Sequence, residues 1–117
     1  MLLGVSVVML GVSNMERSIV FYRDMLGIHL ASEVQSFAFF DGGGTTLALS
    51  AAHGQSAPSI TGATEIVFGV DSVKTEYENL KSKGVKFQTE PHDINGKEWA
   101  ASFTDPDGHL LSIFGPP

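Results

Sequence analysis

The chain has 117 residues, of which 43% are hydrophobic, and it carries a formal net charge of −6 with no cysteine. This length and apolar content predict one domain with its own core, and the absence of thiols excludes disulfides, thiolate metal ligands and cysteine nucleophiles. We expect a cytoplasmic protein, because the absence of cysteine fits a reducing compartment, in which disulfides are rare. The acidic balance, without a basic run, argues against nucleic acid as a partner.

The chain opens with an apolar run, Met1–Val12, which contains glycine and serine and has no basic segment before it. We interpret this run as a strand and expect neither a signal peptide nor a membrane span. Val8, Leu10 and Val12 recur at every second position, which predicts a strand with one face more apolar than the other.

A helix is predicted to follow this strand. Ser13 stands three residues before Glu16, which is the spacing of a capping box, and Gly27 is suited to end the helix. The cluster Asp41–Gly44 predicts a hairpin turn. Short strands are expected at about Ile28–Val34, Ser36–Phe40 and Thr45–Ser50.

The second half of the chain follows the same order. Asp71 is predicted to cap a helix that ends at Gly84. Pro91–Gly96 is predicted to be a loop, and Asp105–Gly108 a tight turn, because proline fixes φ at its second position and glycine tolerates positive φ at its fourth. Strands are expected at Glu65–Val70, Val85–Glu90, Glu98–Thr104 and His109–Phe114.

The two halves match position by position. Gly11-Val12-Ser13 corresponds to Gly69-Val70-Asp71, 58 positions later, and Leu47 at the first hairpin corresponds to Leu111 at the second, 64 positions later. The repeat predicts an α+β protein with two tandem βαβββ modules, each packing one sheet face on its own helix. We place the modules at about residues 1–50 and 63–117 of a single domain, joined by a linker-like segment at about residues 51–62.

The second face of each sheet, opposite the helix, is predicted to lack a helical cover. In the second module, a pair formed by Thr104 and His109 around the turn would set Ala101 opposite Ser112. This register would place two aromatic side chains on the second face, Trp99 and Phe103.

The same reasoning sets Phe37 opposite Ala48 in the first module, with Phe39 on that face. Glu65 adds a carboxylate to the second face of the other module. Aromatic and small residues around a carboxylate are typical of a small-molecule pocket. Two alternatives remain open. The aromatic residues could form core or dimer contacts, and Glu65 could lie at an exposed strand end.

Two segments carry a family resemblance that spans essentially the whole chain. Met15–Tyr22 stands before Leu26-Gly27, and Phe103–His109 forms the second hairpin. With the tandem modules, these segments resemble the vicinal oxygen chelate superfamily of glyoxalases, bleomycin-resistance proteins and extradiol dioxygenases. The resemblance implies a curved mixed sheet around a cavity, with the helices on the outer face. It does not fix the chemistry, because the superfamily includes enzymes of several classes and drug-sequestering proteins.

Metal-using members of this superfamily bind their ion through His, Glu or Gln on the first and last strands of each module. The resemblance carries these positions to Val7, Ala48, Glu65 and Ser112. A divalent ion needs about three good protein ligands, and only Glu65 is a strong one. We therefore expect no metal and no other cofactor, unless the register is misread.

We accordingly predict a metal-independent, small-molecule-binding homodimer that resembles the bleomycin-resistance branch, with an aromatic or cationic ligand. The residues predicted to bind it are Phe37, Phe39, Glu65, Trp99, Phe103 and Ser112. One alternative is an enzyme, a glyoxalase-like lyase or isomerase or a dioxygenase-related protein, with Glu65 as base or metal ligand. A second alternative is a structural or regulatory dimer, so the sequence leaves catalysis open.

Overall fold

The computed structural model describes residues 1–56 and 64–117. The chain forms two compact units, Met1–Ser59 and Ile60–Pro117. In chain order the first unit contains β1 (Val7–Gly11), α1 (Met15–Ile19) continued by a π-helical segment (Val20–Met25), β2 (Leu30–Val34), β3 (Phe37–Asp41), β4 (Thr46–Ser50) and α2 (Ala51–Ser56). The second contains β5 (Glu65–Gly69), α3 (Val73–Ser82), β6 (His92–Asp93), β7 (Trp99–Thr104) and β8 (Leu110–Gly115).

Each unit has one four-stranded mixed sheet, with the strand order β1-β4-β3-β2 in the first and β5-β8-β7-β6 in the second. The first and last strands of each unit are parallel neighbours. Met9 pairs with Ala48, and Val67 pairs with Ser112, so the two sheets share the register that the sequence repeat predicted. The predicted α+β fold of tandem βαβββ modules is confirmed.

The core of the first unit lies between its sheet and α1 with the π-helical segment. Tyr22 is fully buried, and its ring centroid lies 5.9 Å from that of Phe40 on β3. Phe40 pairs with Leu47, and Leu10 pairs with Leu49, so these side chains share the helix-covered face. The alternating apolar positions therefore face the helix as predicted, because burying them removes apolar surface from water.

The core of the second unit is built on an aromatic chain that begins on α3. The ring centroid of Tyr77 lies 4.6 Å from that of Phe87, which lies 5.1 Å from that of Phe103 on β7. Phe103 and Leu111 are both fully buried. The helix-covered face of the second sheet is therefore the face that carries Phe103.

The two predicted helices, α1 and α3, each begin one residue later than the sequence predicted. Asn14, and not Ser13, caps α1, because its side-chain oxygen accepts the backbone N–H of Arg17 at 3.1 Å. Ser72, and not Asp71, caps α3 and accepts the N–H of Thr75 at 3.3 Å. In each case the cap stands three residues before the amide that it satisfies, the spacing an N-cap side chain needs.

The predicted strand Val85–Glu90 is wrong. Within it, one isolated bridge joins Phe87 to Phe103, and the short strand β6 lies instead in the segment predicted to be a loop. Gln88 and Thr89 both donate backbone N–H groups to the carbonyl of Ser102, at 2.7 and 3.3 Å. Two successive amides on one acceptor interrupt the alternation that a regular ladder needs.

The segment predicted to be a linker, Ala51–Gly62, begins with a helix. Its residues 51–56 form α2, which packs against β1. Residues 57–62 lie outside the described part of the chain. No helix in that part is long and apolar enough to span a membrane.

Candidate functional site

The turn between β3 and β4 sets the register of the first sheet. Gly42 donates its N–H to the carbonyl of Thr45 at 2.8 Å, which leaves a two-residue loop of Gly43 and Gly44. Both loop residues have positive φ, 75° and 106°. This is the conformation that a tight hairpin demands and that glycine adopts without strain.

This turn places Phe39 opposite Ala48 and Phe37 opposite Ser50. The predicted pairing of Phe37 with Ala48 is therefore wrong by two residues. The face assignment is nevertheless confirmed, because side chains alternate with a period of two along a strand and a shift of two preserves the face. Phe37 and Phe39 lie on the second face, together with Met9, which pairs with Ala48.

Phe37 and Phe39 form a stacked aromatic pair on this face. Their ring centroids lie 6.1 Å apart, and the ring planes differ by 14°. Both side chains are half-buried, whereas Ala48 beside them is fully buried. The pair therefore offers partly exposed aromatic surface above a small residue.

One end of the second face is in contact with α2. Ser50 is fully buried, and its hydroxyl lies 2.8 Å from Nδ1 of His53 and accepts the backbone N–H of His53 at 3.1 Å. Since α2 also packs against β1, this end of the face is not free of helices, contrary to the prediction. The composition of the segment did not reveal the helix, because its glycine and small polar residues are typical of loops.

At the opposite end, the first unit has a depression of about 540 Å³. It combines aromatic and apolar surface with a carboxylate, an imidazole and hydroxyl groups. The side chains that give it this character are Val7, His29, Ser32, Phe39, Asp41 and Thr46. His29 and Asp41 were not among the predicted binding residues, although Asp41 precedes the hairpin turn on the same strand as Phe39, and alternation puts both on one face.

The hairpin of the second unit contains one residue more than the predicted register allows. Asp105 donates its N–H to the carbonyl of His109 at 3.1 Å, and Gly108 donates to the carbonyl of Asp105 at 3.0 Å. Gly108 has a φ of 89°, in the left-handed region, and occupies the bulge position of this hairpin. As a result Thr104 pairs with Leu110 and not with His109.

This shift of one residue exchanges the two faces of β7. Ser102 lies opposite Ser112, whereas Ala101, predicted to face Ser112, lies opposite Ile113. Phe103 is fully buried in the core, and the ring of Trp99 lies beneath the ammonium of Lys74 on α3, 4.5 Å from ring centroid to Nζ. The predicted placement of Trp99 and Phe103 on the second face is therefore wrong.

The second face of the second sheet is of mixed character. Together with two serines it carries three apolar side chains, Val67, Leu110 and Phe114. Ser112 is buried at its centre, and the hydroxyl of Ser102 beside it lies 3.0 Å from that of Thr89. Glu65 stands at the start of β5, two residues before the Val67 that pairs with Ser112, and is exposed. Glu65 and Ser112 thus share a face, and Glu65, which pairs with Leu110, is exposed at the end of its strand.

The donor set at the family's metal positions does not fit a divalent ion. Val7 and Ala48 have no donor atom, and the second unit supplies one carboxylate, from Glu65, and one hydroxyl, from Ser112. Within residues 1–56 and 64–117, no group of three or more His, Asp or Glu side chains is arranged to hold a metal. Three or more strong ligands are the usual requirement.

The family model of the Glyoxalase/Bleomycin resistance protein/Dioxygenase superfamily matches residues 4–113. The chain belongs to this superfamily. Metallothiol transferase FosB of Staphylococcus haemolyticus is 34% identical, over 97% of this chain and 84% of its own length. Protein YraH of Bacillus subtilis is 32% identical, over 88% of this chain and 91% of its own. The crystal structure of TnmS3, an antibiotic binding protein from Streptomyces, matches with a TM-score of 0.82 at 22% identity, over 99% of this chain and 98% of its own.

Proposed function

We propose that this superfamily member binds a small aromatic molecule without a metal ion, on the second face of the first sheet. The observation that carries the proposal is the stacked pair of Phe37 and Phe39, which stays half-exposed on that face. Aromatic rings that are preorganised side by side bind a further planar ring with little loss of side-chain freedom. Ala48 and Met9 supply a small and an apolar neighbour.

The superfamily membership is compatible with a pure binding role. TnmS3, which shares the fold, is an antibiotic binding protein. Binding alone requires no catalytic group, which suits a chain whose family metal positions carry valine and alanine in the first module. We accordingly place the protein with the bleomycin-resistance-type binding proteins, acting in the cytoplasm.

An enzymatic role is the second candidate, and the similarity to metallothiol transferase FosB favours it. In this chain, Glu65 is the residue available as a base or as a metal ligand. Its exposure and the lack of donors at Val7 and Ala48 weigh against that role. The binding role therefore ranks first.

We further propose that the protein works as a homodimer. The outer strands β1 and β5 each have one paired neighbour in the described sheets. On the second faces they leave apolar side chains uncovered, with Val7 45% and Val67 50% exposed. A second copy would remove this apolar surface from water. A dimer without any ligand remains the third candidate, and it predicts that no aromatic compound binds.

Metal analysis and ligand binding test the proposal together. Protein purified without added metal should contain far less than one Ni, Zn, Mn or Fe per chain. Planar aromatic compounds should bind the wild type in calorimetry, and Phe39→Leu should weaken them by about 3- to 10-fold, since an aromatic pair contributes about 0.5–1.5 kcal/mol. One tightly held ion per chain that Glu65→Gln releases, or unchanged binding by Phe39→Leu, would contradict it.

A further inference from the structure

The second face of the first sheet carries a single carboxylate. The ionised side chains on the strands of this sheet are Glu33 and Asp41. Glu33 pairs with Ala38, which pairs with Leu49 on the helix-covered face. Asp41 pairs with Thr46 and belongs to the opposite, second face. Asp41 is therefore the one carboxylate that the strands of this sheet place on the second face.

The position of Asp41 is fixed by its own backbone and by the turn. Its N–H donates to the carbonyl of His29 at 3.0 Å, so the two residues lie across from each other and share a face. One carboxylate oxygen, Oδ1, accepts the N–H of Gly43 at 3.0 Å. His29 and Asp41 both line the depression, next to Phe39 and Thr46.

We propose that Asp41 binds a cationic group, an ammonium, on the aromatic ligand that Phe39 holds. This inference rests on the proposed function and assigns the cation-binding role to Asp41, where the sequence favoured Glu65. Asp41 stands two residues from Phe39 on one strand, a separation of about 7 Å that a ring with a short aminoalkyl arm spans.

The chemistry of the depression suits such a group. An ammonium beside a carboxylate gains a charge-assisted hydrogen bond. The ammonium has three donors, and the hydroxyl of Thr46 in the lining of the depression offers it a further acceptor. Glu65 lies in the other unit, where it pairs with Leu110 and has Val67 as its next neighbour along the strand on the same face.

Two probes with the same ring separate charge from stacking. Naphthylmethylamine is a cation at about pH 8, and naphthylmethanol is its neutral counterpart. In calorimetry at that pH, we expect wild-type protein to bind the amine about 5-fold more tightly than the alcohol, since a partly exposed ion pair is worth up to about 1 kcal/mol.

Asp41→Asn should abolish this preference, mainly by weakening the amine, because asparagine loses the charge but keeps an oxygen to accept the N–H of Gly43. Asp41→Glu, which keeps the charge, should retain a preference for the amine. Glu33→Gln removes a carboxylate from the opposite face of the same sheet and should behave as wild type.

The outcomes distinguish this inference from the proposed function. Equal affinity of wild-type protein for both probes, with binding that still depends on Phe39, overturns the role of Asp41 alone. A preference that survives Asp41→Asn but is lost in Glu65→Gln does the same and returns the role to Glu65. Failure of both probes to bind overturns the aromatic site itself, and the inference with it.

Discussion

Phe103 lies directly opposite Leu111 across the β7–β8 ladder, and both side chains are fully buried. The pairing depends on Gly108, whose positive φ accommodates an extra residue in the hairpin. A register shift of one residue moves every side chain of a strand to the other face. A glycine five residues further along the chain thus decides that the side chain of Phe103 lies in the core.

Replacing that glycine should destabilise the second unit. Gly108→Ala forces a side chain into the left-handed region, at a cost of about 1–2 kcal/mol. The melting temperature should fall by several degrees, at roughly 4–8 °C per kcal/mol for a domain of this size. Gly108→Asn should cost less, because asparagine tolerates this conformation better. Equal melting temperatures for the alanine variant and wild type would contradict the bulge.

A pair of matched substitutions should separate core from ligand surface. Phe103→Leu creates a cavity beside Phe87 and should lower the free energy of unfolding by about 1–2 kcal/mol, with little change in the affinity for aromatic compounds. Phe39→Leu should show the reverse, because its ring is half-exposed. Chemical denaturation and calorimetry on both variants measure the two effects. Loss of ligand binding in Phe103→Leu alone would return the site to the second sheet.

The first strand was predictable from the alternation of its apolar residues, and the repeat from the matching of positions at fixed offsets along the sequence. The parallel pairings of Met9 with Ala48 and of Val67 with Ser112 follow the repeat along the sequence. The antiparallel pairings were not predictable, because each depends on the hydrogen bonds inside a turn. An error of two residues left Phe37 and Phe39 on the predicted face, whereas an error of one residue displaced Trp99 to the other.

The second hairpin also depends on one buried carboxylate. Oδ1 of Asp105 accepts the N–H groups of Asp107 and His109, at 2.9 and 2.8 Å. Asp105→Ala should lower the free energy of unfolding by about 2 kcal/mol, because partly buried donors lose their acceptor. Asp105→Asn keeps an acceptor oxygen and should cost clearly less in denaturant titrations. If both variants lose the same amount, the carboxylate acts through its charge and not through this turn.

An exposed ion pair should make the stability of the first unit depend weakly on pH. The guanidinium of Arg23 donates two hydrogen bonds to Asp24, at 2.9 and 3.2 Å, and these lower the pKa of that carboxyl below its usual value. A carboxyl with a lowered pKa in the folded state contributes stability above its unfolded pKa and loses that contribution as the pH falls through the folded value. The contribution should be small and should shrink further in high salt.

Nuclear magnetic resonance can follow the titration of the Asp24 carboxyl directly. In Arg23→Gln its pKa should rise towards the usual value of aspartate, because the hydrogen bonds and the charge of Arg23 are both removed. Arg17→Gln, which removes a guanidinium elsewhere in the unit, should leave the midpoint unchanged. An unaltered midpoint in Arg23→Gln would show that the pair does not persist in solution.

The site itself was predictable only in part. Aromatic alternation identified Phe37 and Phe39, but nothing in the spacing marked Asp41 as more than a turn residue. Its position on the second face follows from the ladder, which sets it beside Thr46 and across from His29. Conversely, Glu65 was predicted to bind the ligand because it is a charged residue in an apolar strand. Its exposure at the start of β5 explains how the strand accommodates that charge.

The two hairpins have a consequence for how such proteins diversify. The first hairpin has a two-residue loop of glycines, and the loop of the second hairpin is lengthened by a bulge. Insertion or deletion of a single residue between Thr104 and Leu110 would therefore invert β7, bringing Trp99 to the surface of the second face without any change in the strand's own sequence. Evolution of this fold can thus replace the lining of a binding surface through one codon in a loop, and an engineer can use the same route.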